Sequence, residues 1–208
     1  MLYYYPSCTF RKELPETAKK VIDYLNADMQ IMGCCRVDKM EHKPDSTAVV
    51  ICQSCRDTVQ SKMKVISLWE YFLEQGFYYP DYSGLTVNVQ DCWRERNQPE
   101  VRAAIRQILG KMNIKAIEIE PNGVNSDFCG TWHYEAKSPE LIAKMNMYKG
   151  KPLMAMPEEI QIEAMREAAS RFSCDIAVTG CGMCLKGMKM GGVNGIHLLE
   201  LLFKTANI

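Results

Sequence analysis

Two Cys-x-x-Cys motifs that directly follow short apolar runs constrain the fold of this chain most strongly. The two segments are Ala48-Val-Val-Ile-Cys-Gln-Ser-Cys55 and Ile176-Ala-Val-Thr-Gly-Cys-Gly-Met-Cys184. Short runs of β-branched and small apolar residues predict buried strands of a parallel sheet. Open α/β sheets bind ligands beyond the carboxyl ends of such strands. Each motif is therefore expected to direct both sulfurs to one centre at the start of a helix.

The order of features along the chain is repeated. Cys8 precedes Pro15 by seven residues, and Cys92 precedes Pro99 by the same distance. Each cysteine follows a predicted strand, at 3–5 or 85–90, and precedes an amphipathic helix. We therefore predict an internally duplicated α/β fold of two small parallel-sheet βαβ-type units with pseudo-twofold symmetry. The units would span residues 1–78 and 85–208, with a Gly-, Tyr- and Pro-rich linker at 76–84, and they could pack as one domain.

Hydrophobic periodicity predicts the remaining elements. In the first half, helices are expected from Pro15 onward, over 55–64 and over 67–75. In the second half, the pattern predicts a helix from Pro99, a strand at 115–120, and helices at 157–172 and 195–203.

Composition and charge exclude several classes of function. The chain has 25 basic and 25 acidic residues, so its net charge is zero and no basic surface for nucleic acid is expected. Its first residues lack a basic leader with an apolar run, and no stretch of about 18 apolar residues occurs. We therefore expect neither a signal peptide nor a membrane span. A cytoplasmic protein is predicted, in which ten cysteines indicate metal ligands or redox groups, because disulfides are disfavoured there.

The cysteines divide into two sets, one in each half. The first set has five thiols: Cys8, Cys34, Cys35, Cys52 and Cys55. The second set has four thiols: Cys92, Cys129, Cys181 and Cys184. The position of Cys174 does not fit this spacing, and Cys174 is expected to be a small buried apolar residue.

Convergent thiolates bind zinc or an iron–sulfur cluster. A single Cys-x-x-Cys would equally fit a thioredoxin-type redox pair, but two of them, each with a matching distant cysteine, favour metal binding over unligated cysteines. Four thiolates saturate tetrahedral zinc, so a five-thiol set with the adjacent pair Cys34-Cys35 favours a cluster. The four-thiol set is compatible with either metal centre.

The pattern Cys…Cys-Cys…Cys-x-x-Cys, present twice, resembles the CCG or cysteine-rich domain family of heterodisulfide reductase over nearly the whole chain. The resemblance is closest at Val89-Gln-Asp-Cys92, Phe128-Cys-Gly130 and His197-Leu-Leu-Glu200. It implies a noncubane [4Fe-4S] cluster on the five thiols of the first set and a second centre on the four thiols of the second set. It also implies an oxidoreductase subunit that takes electrons from a flavoprotein or ferredoxin-like partner and reduces a small-molecule disulfide.

Two positions depart from the family pattern. Arg36 stands where a glycine would follow Cys34-Cys35, and Phe128 replaces the first cysteine of the second pair. The second centre is therefore expected to be an ordinary [4Fe-4S] cubane or a zinc ion. The alternative hypothesis is a zinc-binding structural or interaction protein with no redox activity.

Three other side chains lie near the motifs. His197 is expected either to donate a hydrogen bond to a sulfur or substrate, or to cap the last helix. Trp132 and His133 follow Cys129 on a predicted loop, where they could line a substrate cleft, the core or a partner interface.

Overall fold

The computed structural model describes residues 1–38, 41 and 43–208, and in it the chain forms two four-stranded sheets. The strands of the first sheet are β1 Leu2–Tyr5, β2 Gln30–Ile31, β3 Thr47–Val50 and β4 Lys64–Ser67. Their spatial order is β2-β1-β3-β4, and all pairs are parallel. The predicted α/β class with parallel sheets is thereby confirmed.

The second sheet has the same arrangement. Its strands are β5 Thr86–Gln90, β6 Lys115–Glu118, β7 Ala177–Thr179 and β8 Gly195–His197. They are parallel and lie in the order β6-β5-β7-β8, so the chain position of each strand matches that of its counterpart in the first sheet. A duplicated chain would have this arrangement, but its origin by duplication stays a prediction.

Helices connect the strands as parallel pairing requires. Their bounds are α1 Cys8–Glu13, α2 Pro15–Leu25, α3 Gln53–Val59, α4 Leu68–Glu74, α5 Pro99–Lys111, α6 Pro139–Asn146, α7 Glu158–Ala169, α8 Gly182–Met190 and α9 Leu198–Leu202. Short 3-10 turns occur at Trp93–Glu95, Gly123–Asn125 and Leu153–Ala155. Proline starts α2 and α5, where its missing N–H costs no hydrogen bond. Within the described part of the chain, no helix is long and apolar enough to cross a membrane.

The two halves share one apolar core. Trp69 of α4, Ile105 of α5 and Leu199 of α9 are buried in the same cluster. The segment 76–84 also packs on this core, since Phe77 is buried in it and the Tyr82 hydroxyl donates a hydrogen bond to a carbonyl of α9 at 2.9 Å. The halves therefore pack together, and the boundary at 76–84 stays a prediction.

Two predicted helices are wrong at one end. The helix predicted over 55–64 ends at Val59, and the chain then forms edge strand β4. The helix predicted from residue 195 begins at Leu198, because the preceding residues form β8. In both places a short strand passes directly into a helix through a capping box, formed by Ser67 with Glu70 or by His197 with Glu200, and no loop separates the elements.

Candidate metal centres

The four cysteines of the second set meet in a buried space. One sulfur from each of Cys92, Cys129, Cys181 and Cys184 lies within 4.8 Å of the other three. The Sγ atoms of Cys92 and Cys129 are 3.3 Å apart. Cys181 alone of the four is partly exposed. Four thiols at this spacing could hold a metal ion.

Parallel strands bring these four thiols to one edge of the second sheet. Cys92 follows β5 by two residues, Cys129 lies on the loop after β6, and Cys181 caps the N-terminus of α8 after β7. Because the carboxyl ends of parallel strands share one edge, residues far apart in the chain converge there.

Two buried aspartates fix the loops that carry Cys92 and Cys129. Asp91 accepts hydrogen bonds from both Nη atoms of Arg106, at 2.5 and 2.8 Å, and Asp127 accepts one from Arg171 at 2.6 Å. Charge-assisted hydrogen bonds of this kind hold a defined geometry. The backbone one residue before Cys92 and two residues before Cys129 is thus held in place by ion pairs.

The five cysteines of the first set are on the whole more exposed than those of the second set. Cys8 begins α1 and is exposed, Cys34-Cys35 lie in the turn after β2, and Cys52 and Cys55 begin α3. The thiol of Cys8 interacts with that of Cys34, and the thiol of Cys55 interacts with those of Cys52 and Cys35. The structure therefore brings the five residues to one edge of the first sheet, with no tight four-sulfur group like that of the second set among the described residues.

Both sets face the same cavity, which has a volume of about 350 Å³. Eight cysteines line it: Cys8, Cys34, Cys35, Cys52, Cys55, Cys92, Cys129 and Cys181. The halves meet here because α1 packs on α8; a Cβ added to Gly182 would lie 3.2 Å from the backbone nitrogen of Phe10. Glycine at this position lets the helix starts that carry Cys8 and Cys181 approach closely.

The first cysteine of each Cys-x-x-Cys motif is favoured as a thiolate. A hydrogen bond from the Cys55 thiol lowers the pKa of Cys52 to about 6, against the opposing effects of burial and of Cys181. Hydrogen bonds from the other three thiols of the second set lower the pKa of Cys181 well below its usual range. Each is the first cysteine of its Cys-x-x-Cys and the N-cap of its helix, where backbone N–H groups favour negative charge.

In metal-free, reduced protein, we expect Cys52 to be alkylated by iodoacetamide with a rate that rises through about pH 6. The thiolate reacts, and the folded-state pKa of Cys52 is about 6, so the group is mostly reactive above that pH and unreactive below it. Replacing Cys55 with alanine removes the hydrogen-bond donor and should move the midpoint upward by more than one pH unit. Peptide-resolved mass spectrometry measures both profiles, and equal midpoints would contradict the assignment.

Three other side chains shape the cavity. Arg94 donates a hydrogen bond to Asp57 of the first half at 2.6 Å and lies over the ring of Trp132, which also lines the cavity. Burial raises the pKa of Glu95 well above its usual range, and nearby Cys181 and other acidic groups raise it further. Burial therefore favours the protonated, neutral form of Glu95, which borders the cavity. The sequence gives no sign of this role, because nothing in Cys92-Trp-Arg-Glu95 marks the glutamate as buried.

The remaining predicted residues lie elsewhere. Cys174 is partly exposed and outside both sets, so its prediction as a buried apolar residue is wrong. Its position just before β7 is fixed through its backbone N–H, which donates to Asn88 at 2.7 Å. His133 stacks on Trp93, with ring centroids 4.1 Å apart. His197 caps α9 as expected, and burial lowers its pKa to about 4.

Comparisons with known proteins leave the family open. No family model matches the chain, and no curated protein matches it. Among solved structures, aspartate racemase from Picrophilus torridus is similar over 98% of this chain and 92% of its own, at 11% sequence identity and a TM-score of 0.32. Nothing about the activity of this chain follows from a likeness of this size.

Proposed function

We propose that this chain is an iron–sulfur redox protein, similar to the cysteine-rich component of heterodisulfide reductase, that reduces a disulfide within a larger complex. The observation that carries the proposal is the shared cavity, because thiols of both halves face one space of about 350 Å³. A purely structural metal site is closed and needs no such space, whereas a redox centre that acts on a small molecule does.

The spacing of the second set favours a single metal ion. A zinc–sulfur bond of about 2.3 Å in a tetrahedron places thiolates about 3.8 Å apart. The four sulfurs lie within 4.8 Å of one another, which fits that geometry. A cubane binds each thiolate to a different iron and needs the sulfurs farther apart. We therefore assign the second centre to one tetrahedral ion, and zinc is the metal that four thiolates favour.

The first set fits a cluster better. Five thiols exceed what one tetrahedral ion can bind, and the adjacent pair Cys34-Cys35 can serve two different irons. These five cysteines line the cavity, and Cys8 is exposed. A cluster held here would be within reach of a small molecule in the cavity.

The chain's own residues supply the rest of the chemistry. When bound, an iron–sulfur cluster supplies electrons singly, which a flavoprotein or ferredoxin-like partner must provide. Cleavage of a disulfide into two thiols consumes two electrons and two protons. Glu95 holds a proton at the cavity wall, and Arg94, fixed by Asp57, places a positive charge at its rim.

A second candidate function is a zinc-binding structural or interaction protein. The tight Cys92, Cys129, Cys181 and Cys184 group favours it, because closed four-thiolate sites are typical of structural zinc. The two candidates make different demands on the first set of cysteines: only the redox protein needs iron there.

Metal analysis of anaerobically purified protein separates the two candidates. We expect about four irons with acid-labile sulfide and about one zinc per chain, and an EPR signal after oxidation or reduction. Cys35→Ser should lose most of the iron and keep the zinc, whereas Cys92→Ser should lose the zinc and keep the iron. Cys174→Ser, a cysteine outside both sets, is the matched control and should keep both metals.

Zinc without iron in protein purified under strictly anaerobic conditions would reject the redox function and support the structural one. Iron that is unchanged in Cys35→Ser would reject the assignment of the first set. Loss of metal from Cys174→Ser would show that the response to cysteine removal is not specific to the two sets.

A further inference from the structure

His197 forms a helix cap that uses only one side of its ring. Its Nδ1 atom accepts a hydrogen bond from the backbone N–H of Leu199 at 3.2 Å, and its own backbone N–H donates to Glu200 at 2.8 Å. An accepting Nδ1 carries no proton, so the neutral ring carries its proton on Nε2. The side chain is fully buried, which favours the neutral form.

The Nε2–H group is buried and has no hydrogen-bond partner of good geometry among the described residues, although the Gly180 backbone is near enough to interact with the ring. A buried donor without a good hydrogen bond destabilises the fold, so its retention needs an explanation. Parallel pairing of β7 with β8 sets Thr179 opposite His197, and the ring therefore lies beside the segment that runs into Cys181. Burial lowers the pKa of the imidazole, and the negative charge of Cys181 and the Gly180 backbone oppose this effect, so both groups lie near the ring.

The first half contains the matched position without the extra donor. There, β3 pairs Val50 with Ser67, and Cys52 follows Val50 by two residues, as Cys181 follows Thr179. Ser67 caps α4 by accepting from the Glu70 N–H at 3.1 Å and donating to its carboxylate at 2.7 Å, which uses its only donor. A serine is thus sufficient for the cap, and capping alone does not account for histidine at 197.

Aromatic residues of the first half hold the ring in place. The ring centroids of Phe10 and Trp69 lie 4.9 and 6.0 Å from that of His197. They exclude water from the imidazole, so no solvent molecule competes for Nε2–H. An N–H group in such a dry site interacts strongly with a neighbouring charge.

We propose that His197 is a positioning residue of the second metal centre, whose Nε2–H donates a hydrogen bond to the metal-bound thiolate of Cys181. The inference depends on metal binding by the second set, as in the proposed function. The bond satisfies the buried donor, orients the sulfur and withdraws charge from it. No equivalent bond exists at Cys52 among the described residues, so the two centres differ in the environment of corresponding sulfurs.

Two variants separate this role from capping. His197→Ser introduces the type of helix cap that Ser67 forms but removes the Nε2–H donor. His197→Gln places an amide N–H near the position of Nε2 but lacks an acceptor at the position of Nδ1. Both are loaded with cobalt(II), and the signal of Cys92→Ser, which lacks the second centre, is subtracted.

We expect His197→Ser to bind cobalt about tenfold more weakly at the second centre and to shift the thiolate-to-cobalt charge-transfer band. Its melting temperature should fall as well, because the shorter side chain leaves a cavity beside Phe10 and Trp69, so affinity and band are the readouts that distinguish the two variants. His197→Gln should keep the affinity and band while its melting temperature falls. Wild-type affinity and band in His197→Ser would overturn the inference. Weaker cobalt binding by His197→Ser with an unchanged charge-transfer band would show that the Cys181 sulfur is not the acceptor of the Nε2–H hydrogen bond, and the Gly180 carbonyl would then be the acceptor. Wild-type protein that takes up no cobalt at this centre would reject the metal site itself.

Discussion

Gly130→Ala is expected to lose the second metal centre and about 3–5 kcal/mol of folding free energy. Gly130 has a φ of +52°, and a Cβ added there would lie 1.8 Å from the carbonyl oxygen of Met183. Met183 lies inside the second Cys-x-x-Cys, so the loop that carries Cys129 touches the backbone of α8 directly. An alanine must push this loop outward, and both the overpacking and the positive φ add to the loss. Urea unfolding and zinc content measure the two effects.

Gly192→Ala is the matched control for this prediction. Gly192 also has a positive φ, of +84°, but no atom lies within 4 Å of an added Cβ. Its replacement should cost only the backbone term, about 1–2 kcal/mol, and leave the zinc in place. If both variants lose the same stability and both keep the metal, the close approach of the Cys129 loop to α8 is not what forms the centre.

The sequence predicts the strands that precede the cysteines but not the strands that follow them. β3 and β7 are β-branched runs that end at a Cys-x-x-Cys, a signal that a parallel sheet explains. β4 and β8 have four and three residues and lead into helices without a turn residue, so the hydrophobic pattern does not separate these short strands from the adjacent helices. The capping boxes at Ser67 and His197 are the local signal that marks where each helix begins.

The composition of the site follows from the sequence more closely than its arrangement does. Their place in the second half and the match to the cysteine pattern of the first half identify Cys92, Cys129, Cys181 and Cys184 as one set, and the structure brings these four together. The shared cavity could not be predicted, since it depends on the packing of α1 on α8 at Gly182. Burial of Glu95 likewise results from contacts between the halves, which the residues next to it in the sequence do not indicate.

The cysteines of the second set lie in an apolar cluster, so a metal ion bound there would link metal binding to folding. Cys92, Cys129 and Cys184 are buried with Phe128 and Leu185 in this cluster. Without metal, the contacts among these thiols are weak sulfur hydrogen bonds. The other three cysteines of the set carry no positive charge that could offset the thiolate favoured at Cys181. A metal ion that binds only the folded arrangement adds its binding free energy to stability.

Removal of a metal from this set of cysteines is therefore expected to lower the melting temperature by about 10–20 °C. This value assumes a loss of about 5 kcal/mol of folding free energy, and in a domain of this size each kcal/mol lowers the melting temperature by about 2–4 °C. Calorimetry of reduced, chelator-treated protein measures the shift, and added zinc should reverse it. Cys35→Ser should respond to zinc like the wild type, because its second set is intact. Cys92→Ser should melt at the lower temperature with or without zinc. A melting temperature that is the same in metal-free and zinc-loaded wild-type protein would mean that the buried thiols pack stably unaided and that the metal contributes nothing to the fold.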